Sequence, residues 1–439
     1  MNRLVALVET LGARLAARPR LGLLVLAAVA ILAFLPAFTS LPPVDRDEAR
    51  FAQASRQMAA TGDIIDIRFR DGPRYKKPIG IYWLQAGSVM LFGADREGPI
   101  WLYRLPSIAG AVAVVLLTAA AGTLAAGAEA GLVAGLLMSG AFILGVEARL
   151  AKTDAVLAAT VAAAMFALFR AWIGKAGRQG WLLFWGALSA AILVKGPIGP
   201  MVVGLAVAAL WLADRPRARN WIGALRPGRG ILFLLALTLP WFVAITWTSG
   251  GAFWAEALGR DAIGKLQAAQ ESHGAPPGTY LLALWVTFFG ASGALALALP
   301  AAWRVRRHHA VGFALAWAAP AWLVFELAPT KLLHYTLPLL PALAILAAVA
   351  LPEALRLKSR WRWIVWALFT LIGVGIVIGA AAFSARLGGR PVMPVTAGLC
   401  GIAAGAVLLL GALRAQAPFA AAVGFWAMGV AATGSFVAT

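Results

Sequence analysis

Asp45, Asp47, Glu48 and Arg50 stand together in VDRDEARFA, directly after the first long apolar run of the chain. Residues three and four apart share a helix face. Asp47 and Arg50 can therefore point a carboxylate and a guanidinium into one cavity. A carboxylate can take the proton of an attacking hydroxyl, and a guanidinium can hold phosphate oxygens bidentately. A solvated first helical turn, with its acids favoured by the helix dipole, fits the same four residues. Spacing alone leaves both readings open.

Other groups invite the same question. Lys76 and Lys77 precede Pro78 in the same polar passage; they either snorkel to lipid phosphates or bind a substrate phosphate. Glu147, Arg149, Lys152 and Asp154 crowd into EARLAKTDAVL between two apolar runs. Four charges there require mutual pairing, a function, or both. Lys195 marks a helix break in VKGPIGP, where Gly and Pro supply the turn, and is either part of a site or an interfacial anchor. Lys331, His334 and Tyr335 lie three and four apart, so on a helix they would share a face suited to an anionic ligand. His273 is a weaker candidate, and His308 and His309 sit among arginines. No P-loop, Rossmann glycine fingerprint, HExxH or serine-hydrolase elbow is present, so nucleotide chemistry has no visible site.

The elements that must position these residues are membrane spans. The chain of 439 residues is 62% hydrophobic and 13% charged, where ordinary soluble domains carry about 25% charge. Apolar runs of about 20 residues recur from end to end, the pattern of an all-α polytopic membrane protein. Thirteen spans are expected, near 21–40, 101–122, 131–147, 154–173, 181–195, 197–213, 230–248, 278–300, 310–327, 335–352, 363–384, 393–413 and 417–438. The first is expected to remain as an uncleaved signal anchor. The single cysteine, Cys400, lies in an apolar run and is expected to be inert, buried packing.

Charge distribution orients the chain. With the N-terminus inside, the inner segments hold 20 bases against four acids, and the outer ones 18 bases against 14 acids. The inner surplus is the positive-inside signal. It accounts for the net charge of +20 through contact with anionic headgroups and excludes a nucleic-acid partner. The outer loops, 41–100 and 249–277, then face the periplasm or its equivalent. In the first loop the pattern predicts two amphipathic helices along the outer interface. One is RDEARFAQASRQMAATGD, closed by Gly62, with Phe51, Ala54, Met58 and Ala59 as its apolar stripe. The other lies near 78–92, with Tyr82 and Trp83 at headgroup depth. A single transmembrane domain over 1–439, monomeric and with no C-terminal soluble domain, is the expected organisation.

In their order and wording, DEARFAQASRQMAATGDIIDIRFRDGPRYKKPIGIYWLQAGSVMLFG, EARLAKTDAVL, VKGPIGP, SHGAPPGTYLL and KLLHYTLPLLPAL resemble the GT-C fold glycosyltransferases that use polyprenyl-phosphate sugars. The likeness is greatest to the aminoarabinose-transferase branch and the related protein mannosyltransferases, and it covers most of residues 41–350. It implies a bacterial inner-membrane enzyme that moves a sugar, with inversion, from a polyprenyl phosphate to a lipid, glycan or protein acceptor on the periplasmic face. It further implies Asp47 as general base, Glu48 completing that motif and Asp154 as a second acidic contributor. Arg50 and Lys77 would hold the donor phosphate, with Lys331, His334 and Tyr335 lining the same cavity. Two departures stand out. Lys76 occupies a position where the family often has glutamate, which argues against a divalent metal held there, and Leu333 stands where proline is usual. The rival from another class is a flippase or secondary transporter. Such proteins tend to place charges near the bilayer midplane in repeated, broken helices.

Overall fold

A computed structural model describes residues 1–92, 98–257, 274–357, 359–386, 388–389 and 391–439. Outside these lies the expected candidate His273. Among the described residues the architecture is all-α apart from one small hairpin, Arg68–Phe69 (β1) with Gly72–Pro73 (β2).

The N-terminal half runs α1 (Asn2–Ala16), α2 (Pro19–Phe34), α3 (Arg46–Thr61), the hairpin, α4 (Gly80–Leu91), α5 (Ile100–Ala126), α6 (Ala128–Ser139) and α7 (Phe142–Glu147). It continues through α8 (Asp154–Trp172), α9 (Gly180–Lys195), α10 (Ile198–Ala213), α11 (Arg215–Ala224) and α12 (Pro227–Ser249). After a one-turn segment, Ala252–Trp254, come α13 (Thr279–Thr287), α14 (Ser292–Val305), α15 (His309–Leu327) and a 3-10 turn, Leu333–Leu339. The chain closes with α16 (Leu340–Arg356), α17 (Trp361–Arg386), α18 (Val392–Ala415) and α19 (Pro418–Ala438).

Eight of these segments are long and apolar enough to cross a membrane, or nine if α13 and the apolar part of α14, bent by 115°, make one span. Four shorter apolar helices, α2, α6, α9 and α10, fall where the remaining expected spans lie; length alone does not make them spans. The chain is thus a multi-pass membrane protein, without the count of thirteen being met. The expected span 131–147 is corrected to two pieces, because the backbone breaks at Gly140 between α6 and α7. The bend at α13/α14 depends on Gly290. Its φ is +92°, and a Cβ there would sit 2.3 Å from the Gly140 carbonyl oxygen, so no side chain fits.

The bundle centres on α8 and the Leu333–Arg356 segment, whose apolar windows are 67% and 72% buried, while α12 and α17 lie outside at 22% and 28%. Alanine dominates the buried face of α8 (Ala155, Ala158, Ala162, Ala164), and small residues let helices approach closely where lipid offers no hydrophobic drive. Cys400 is exposed rather than buried, on α18 at the bundle's edge. α1 is amphipathic, burying Val5, Gly12 and Leu15. Its Glu9 accepts from the backbone N–H of Ala420 at 2.9 Å and of Phe419 at 3.5 Å, capping α19.

Candidate functional site

The first loop folds into α3 and α4 because both present an apolar face to each other. Phe51, Ala54, Ser55 and Met58 of α3 are buried. The Phe51 and Tyr82 rings lie 5.5 Å apart, and the Ser55 hydroxyl donates to Gln85 Oε1 at 2.7 Å. α3 ends where Gly62 turns left-handed, with φ +71°. It begins at Asp45, whose Oδ1 accepts from the Asp47 N–H at 2.7 Å, a side-chain N-cap. Tyr82 is fully buried, a correction to its expected headgroup position. Trp83 stays partly exposed and donates to the Ile64 carbonyl at 2.8 Å.

Two buried arginines fasten this layer to the bundle. Arg104 Nε donates to Glu48 Oε1 at 2.8 Å, and its Nη1 reaches the carbonyls of Phe38 and Leu41 at 2.9 and 2.8 Å. Glu48 is itself fully buried and also accepts from the Ala151 N–H at 2.9 Å. Arg149 donates to the carbonyls of Ala33, Pro36 and Gly145, tying the end of α2 to α7. Orphan carbonyls at the break after α2 thus find charged donors inside the protein.

An ion-pair array runs inward from the α3 cap. Asp45 Oδ2 accepts from Lys152 Nζ at 2.9 Å. Lys152 Nζ lies 3.5 Å from Glu147 Oε1, and that oxygen is 3.6 Å from His334 Nδ1. His334 Nε2 is 3.6 Å from Asp154 Oδ1, which also pairs with Lys195 Nζ. Burial alone would raise the Asp45 pKa. The charge and hydrogen bond of Lys152 override it, and the Asp47 N–H adds to them, so the carboxyl is held below its ordinary value. Burial likewise opposes the Lys152 charge, yet Glu147, Asp154 and Asp45 raise its pKa well above the ordinary lysine value.

The inner end of the array opens on a cavity of about 610 Å³. Lys76, Lys77, Asp154, Lys195, His334 and Tyr335 line its polar part, and Leu157, Met201, Phe242, Phe253, Trp254 and Phe325 its apolar part. The Lys195 ammonium sits 5.4 Å from the centre of the Tyr335 ring. Lys76 and Lys77 are held there by the segment after the hairpin. Tyr75 donates to Asp66 Oδ1 at 2.8 Å, its phenol pushed up to about 12 by burial and by that carboxylate. Trp241 of α12 donates to the Ile65 carbonyl at 3.1 Å. Phe242 and Trp254, stacked at 5.3 Å, also wall a second hollow with Leu239, Val243, Thr246 and Trp247.

Of the residues singled out in the sequence, Lys76, Lys77, Asp154, Lys195, His334 and Tyr335 come together on this cavity. Asp47 lies at the outer end of the array, half exposed, 3.8 Å from both Arg50 and Arg74. Glu48 faces Arg104 instead. Lys331 turns its amine back to the Ala328 carbonyl at 2.6 Å. The shared helical face expected for Lys331, His334 and Tyr335 does not form. Lys331 precedes the 3-10 turn, and prolines 338 and 341 keep the segment from starting as an α-helix. Sequence reasoning missed Arg74, which is buried 5.2 Å over the Phe51 ring, and left Lys152 and Lys195 open between a site and a structural role. It also missed Arg104, whose sole signal is a base inside a long apolar run.

Among the described residues, Glu147, Asp154 and His334 each bring a ligand atom within 4.8 Å of the others. By donor type the set would suit a divalent cation. Lys152 and Lys195 already lie against its two carboxylates, so an arriving cation would meet two ammoniums. The set fits an internal ion-pair array rather than a metal.

Comparison with known proteins adds independent information. Residues 76–244 match the family model described as dolichyl-phosphate-mannose-protein mannosyltransferase. The chain is 29% identical over 321 residues to the undecaprenyl phosphate-alpha-4-amino-4-deoxy-L-arabinose arabinosyl transferase of Pseudomonas aeruginosa (strain LESB58), covering 71% of this chain and 56% of that one. It is 29% identical over 316 residues to the like-named protein of Edwardsiella ictaluri, covering 69% and 54%. The chain therefore spans just over half the length of these relatives. Among solved structures, ArnT from Cupriavidus metallidurans superposes with a TM-score of 0.73 in the apo state and 0.76 bound to undecaprenyl phosphate. The identities are 23% and 22%, and each match covers 94% of this chain and 76% of that one. An oligosaccharyltransferase from Archaeoglobus fulgidus gives 0.53 at 13% identity, over 80% and 52%. The chain has the GT-C fold and resembles the polyprenyl-phosphate-sugar glycosyltransferases in sequence, as the order of its motifs implied.

Proposed function

We propose that this chain is a glycosyltransferase that moves a sugar from a polyprenyl phosphate to a hydroxyl acceptor at the periplasmic face of the bacterial inner membrane. The observation that carries this reading is the cavity where Lys76, Lys77 and Lys195 converge beside Asp154 and His334, with an apolar hollow opening alongside. That combination suits an anionic head on a long apolar tail. The relatives' printed name, an arabinosyl transferase acting with undecaprenyl phosphate, supports the donor class.

In this mechanism Lys77 and Lys195 neutralise the donor phosphate and hold it in place. Asp47, 3.8 Å from both Arg50 and Arg74, takes the proton of the acceptor hydroxyl. The acceptor oxygen attacks the anomeric carbon from the face opposite the phosphate. The sugar–oxygen bond breaks, its electron pair leaves on the phosphate, and the configuration inverts. A phosphate monoester is a stable leaving group, so positioning and charge stabilisation can supply most of the acceleration.

Charges gathered at helix ends, with Asp47 in a loop helix outside the spans, favour this reading over a transporter, whose charges belong near the midplane. The test uses purified protein, a radiolabelled polyprenyl-phosphate sugar and an envelope lipid extract. Sugar transfer with release of polyprenyl phosphate is expected, and Asp47→Asn should lower it by about 100-fold or more at unchanged melting temperature. Wild-type turnover in Asp47→Asn would remove Asp47 as the base. Movement of intact donor across vesicles without its cleavage would support the transporter instead.

A further inference from the structure

His334 sits between two carboxylates, and neither neutral tautomer satisfies both. Its Nδ1 faces Glu147 Oε1 and its Nε2 faces Asp154 Oδ1, each at 3.6 Å. With the proton on Nδ1, a lone pair is turned on Asp154. With the proton on Nε2, a lone pair is turned on Glu147. One additional proton on the Glu147 side removes the conflict: either Glu147 carries it and donates to Nδ1, or the imidazole carries both.

The charge count leads to the same place. The charged groups of the ion-paired array around His334 are Asp45 from α3, Glu147 from α7, Lys152 from the following loop, Asp154 from α8 and Lys195 from α9, with Lys76 and Lys77 lining the cavity beside it; Tyr335 flanks the imidazole. Three carboxylates and two ammoniums leave one negative charge, which the additional proton cancels. Glu147, Asp154, Lys152 and Lys195 have side chains exposed by 10% or less, and an uncompensated charge there is costly.

We propose that Glu147 is a positioning residue for the donor site: it and His334 hold one proton between them, which keeps the array neutral and keeps His334 Nε2–H turned on Asp154. The Asp154–Lys195 pair is then presented to the donor phosphate without excess negative charge. Loss of the proton at alkaline pH adds that charge beside the phosphate and weakens donor binding, while Asp47 is untouched. This rests on the proposed function, since it concerns the same cavity.

The test measures binding of a polyprenyl methyl phosphodiester to purified full-length protein across pH. The probe carries one charge throughout the range, so any pH dependence belongs to the protein. For the wild type, Kd should rise at least about fivefold between about pH 6.5 and about pH 9, the size expected of one added charge nearby. In Glu147→Gln the amide N–H donates permanently to Nδ1, so Kd should stay flat and near the wild-type acid value. Asp45→Asn removes one negative charge from the array, so the proton is held less tightly and the rise in Kd should move to lower pH, which serves if Glu147→Gln does not fold. An unchanged pH dependence in the folded variants overturns the proposal. So does weak binding by Glu147→Gln at every pH, or wild-type binding that a chelator abolishes and zinc restores, because each would require the carboxylate's charge itself. If the wild type does not bind the probe at all, the functional reading falls and this proposal falls with it.

Discussion

Glu48 and Asp47 are neighbours in sequence with opposite circumstances. Asp47 is half exposed beside two guanidiniums at 3.8 Å. Glu48 is sealed against Arg104 at 2.8 Å. Removing one member of a buried pair leaves the other charge uncompensated, at a cost of about 3–5 kcal/mol. Glu48→Ala is therefore expected to lower the melting temperature in detergent or abolish expression, whereas Asp47→Asn should spare both and lose turnover. A folded Glu48→Ala protein of wild-type stability that had lost only turnover would give Glu48 a chemical role instead. At this scale the sequence announced the residue types and not their partners. The spacing of Asp47 and Arg50 sufficed to pair them, because i and i+3 adjoin on any helix. Glu48 with Arg104 and Asp45 with Lys152 join residues 56 and 107 positions apart, and no local periodicity encodes such separations.

At the scale of elements, α3 was legible from its apolar stripe to its Gly62 stop, since stripes and stop signals are local, while its Asp45 cap emerged only in the structure. The 3-10 turn at Leu333–Leu339 and the break at Gly140 were not, because both answer to tertiary packing. The cap on α3 also makes a pH prediction. Asp45 has a folded pKa below its ordinary value, so its stabilisation is present above that value and is lost as pH falls through the folded pKa. Lys152 is raised, so its share is present below the ordinary lysine range and is lost only as pH rises through the raised value. The melting-temperature gap between wild type and Asp45→Asn should therefore be present at about pH 5 and close below about pH 4. A gap that instead opened under acid would mean that the Asp45–Lys152 pair does not stabilise the fold. Gly290→Ala is a harsher perturbation of an element. Its Cβ would overlap the Gly140 carbonyl at a left-handed φ, so little folded protein should be recovered by size-exclusion chromatography, and normal yield and elution would show that the α13/α14 bend is not rigid.

For the whole molecule, apolar runs and basic loops sufficed to read a multi-pass helical bundle, and they also yield an orientation that can be tested residue by residue. Asp71 lies exposed in the hairpin turn and Arg219 exposed on α11. The positive-inside count puts the first outside and the second inside. Cys400 is the chain's one cysteine, and its exposure on α18 makes its replacement by serine inexpensive in packing terms. In that background, Asp71→Cys should react with a membrane-impermeant maleimide on intact spheroplasts, and Arg219→Cys only after permeabilisation. The outcome matters because Lys76 and Lys77, which follow the hairpin in the same loop, line the cavity. Labelling in the opposite sense would turn that cavity to the cytoplasm, where a polyprenyl-linked donor presented at the outer leaflet could not reach it.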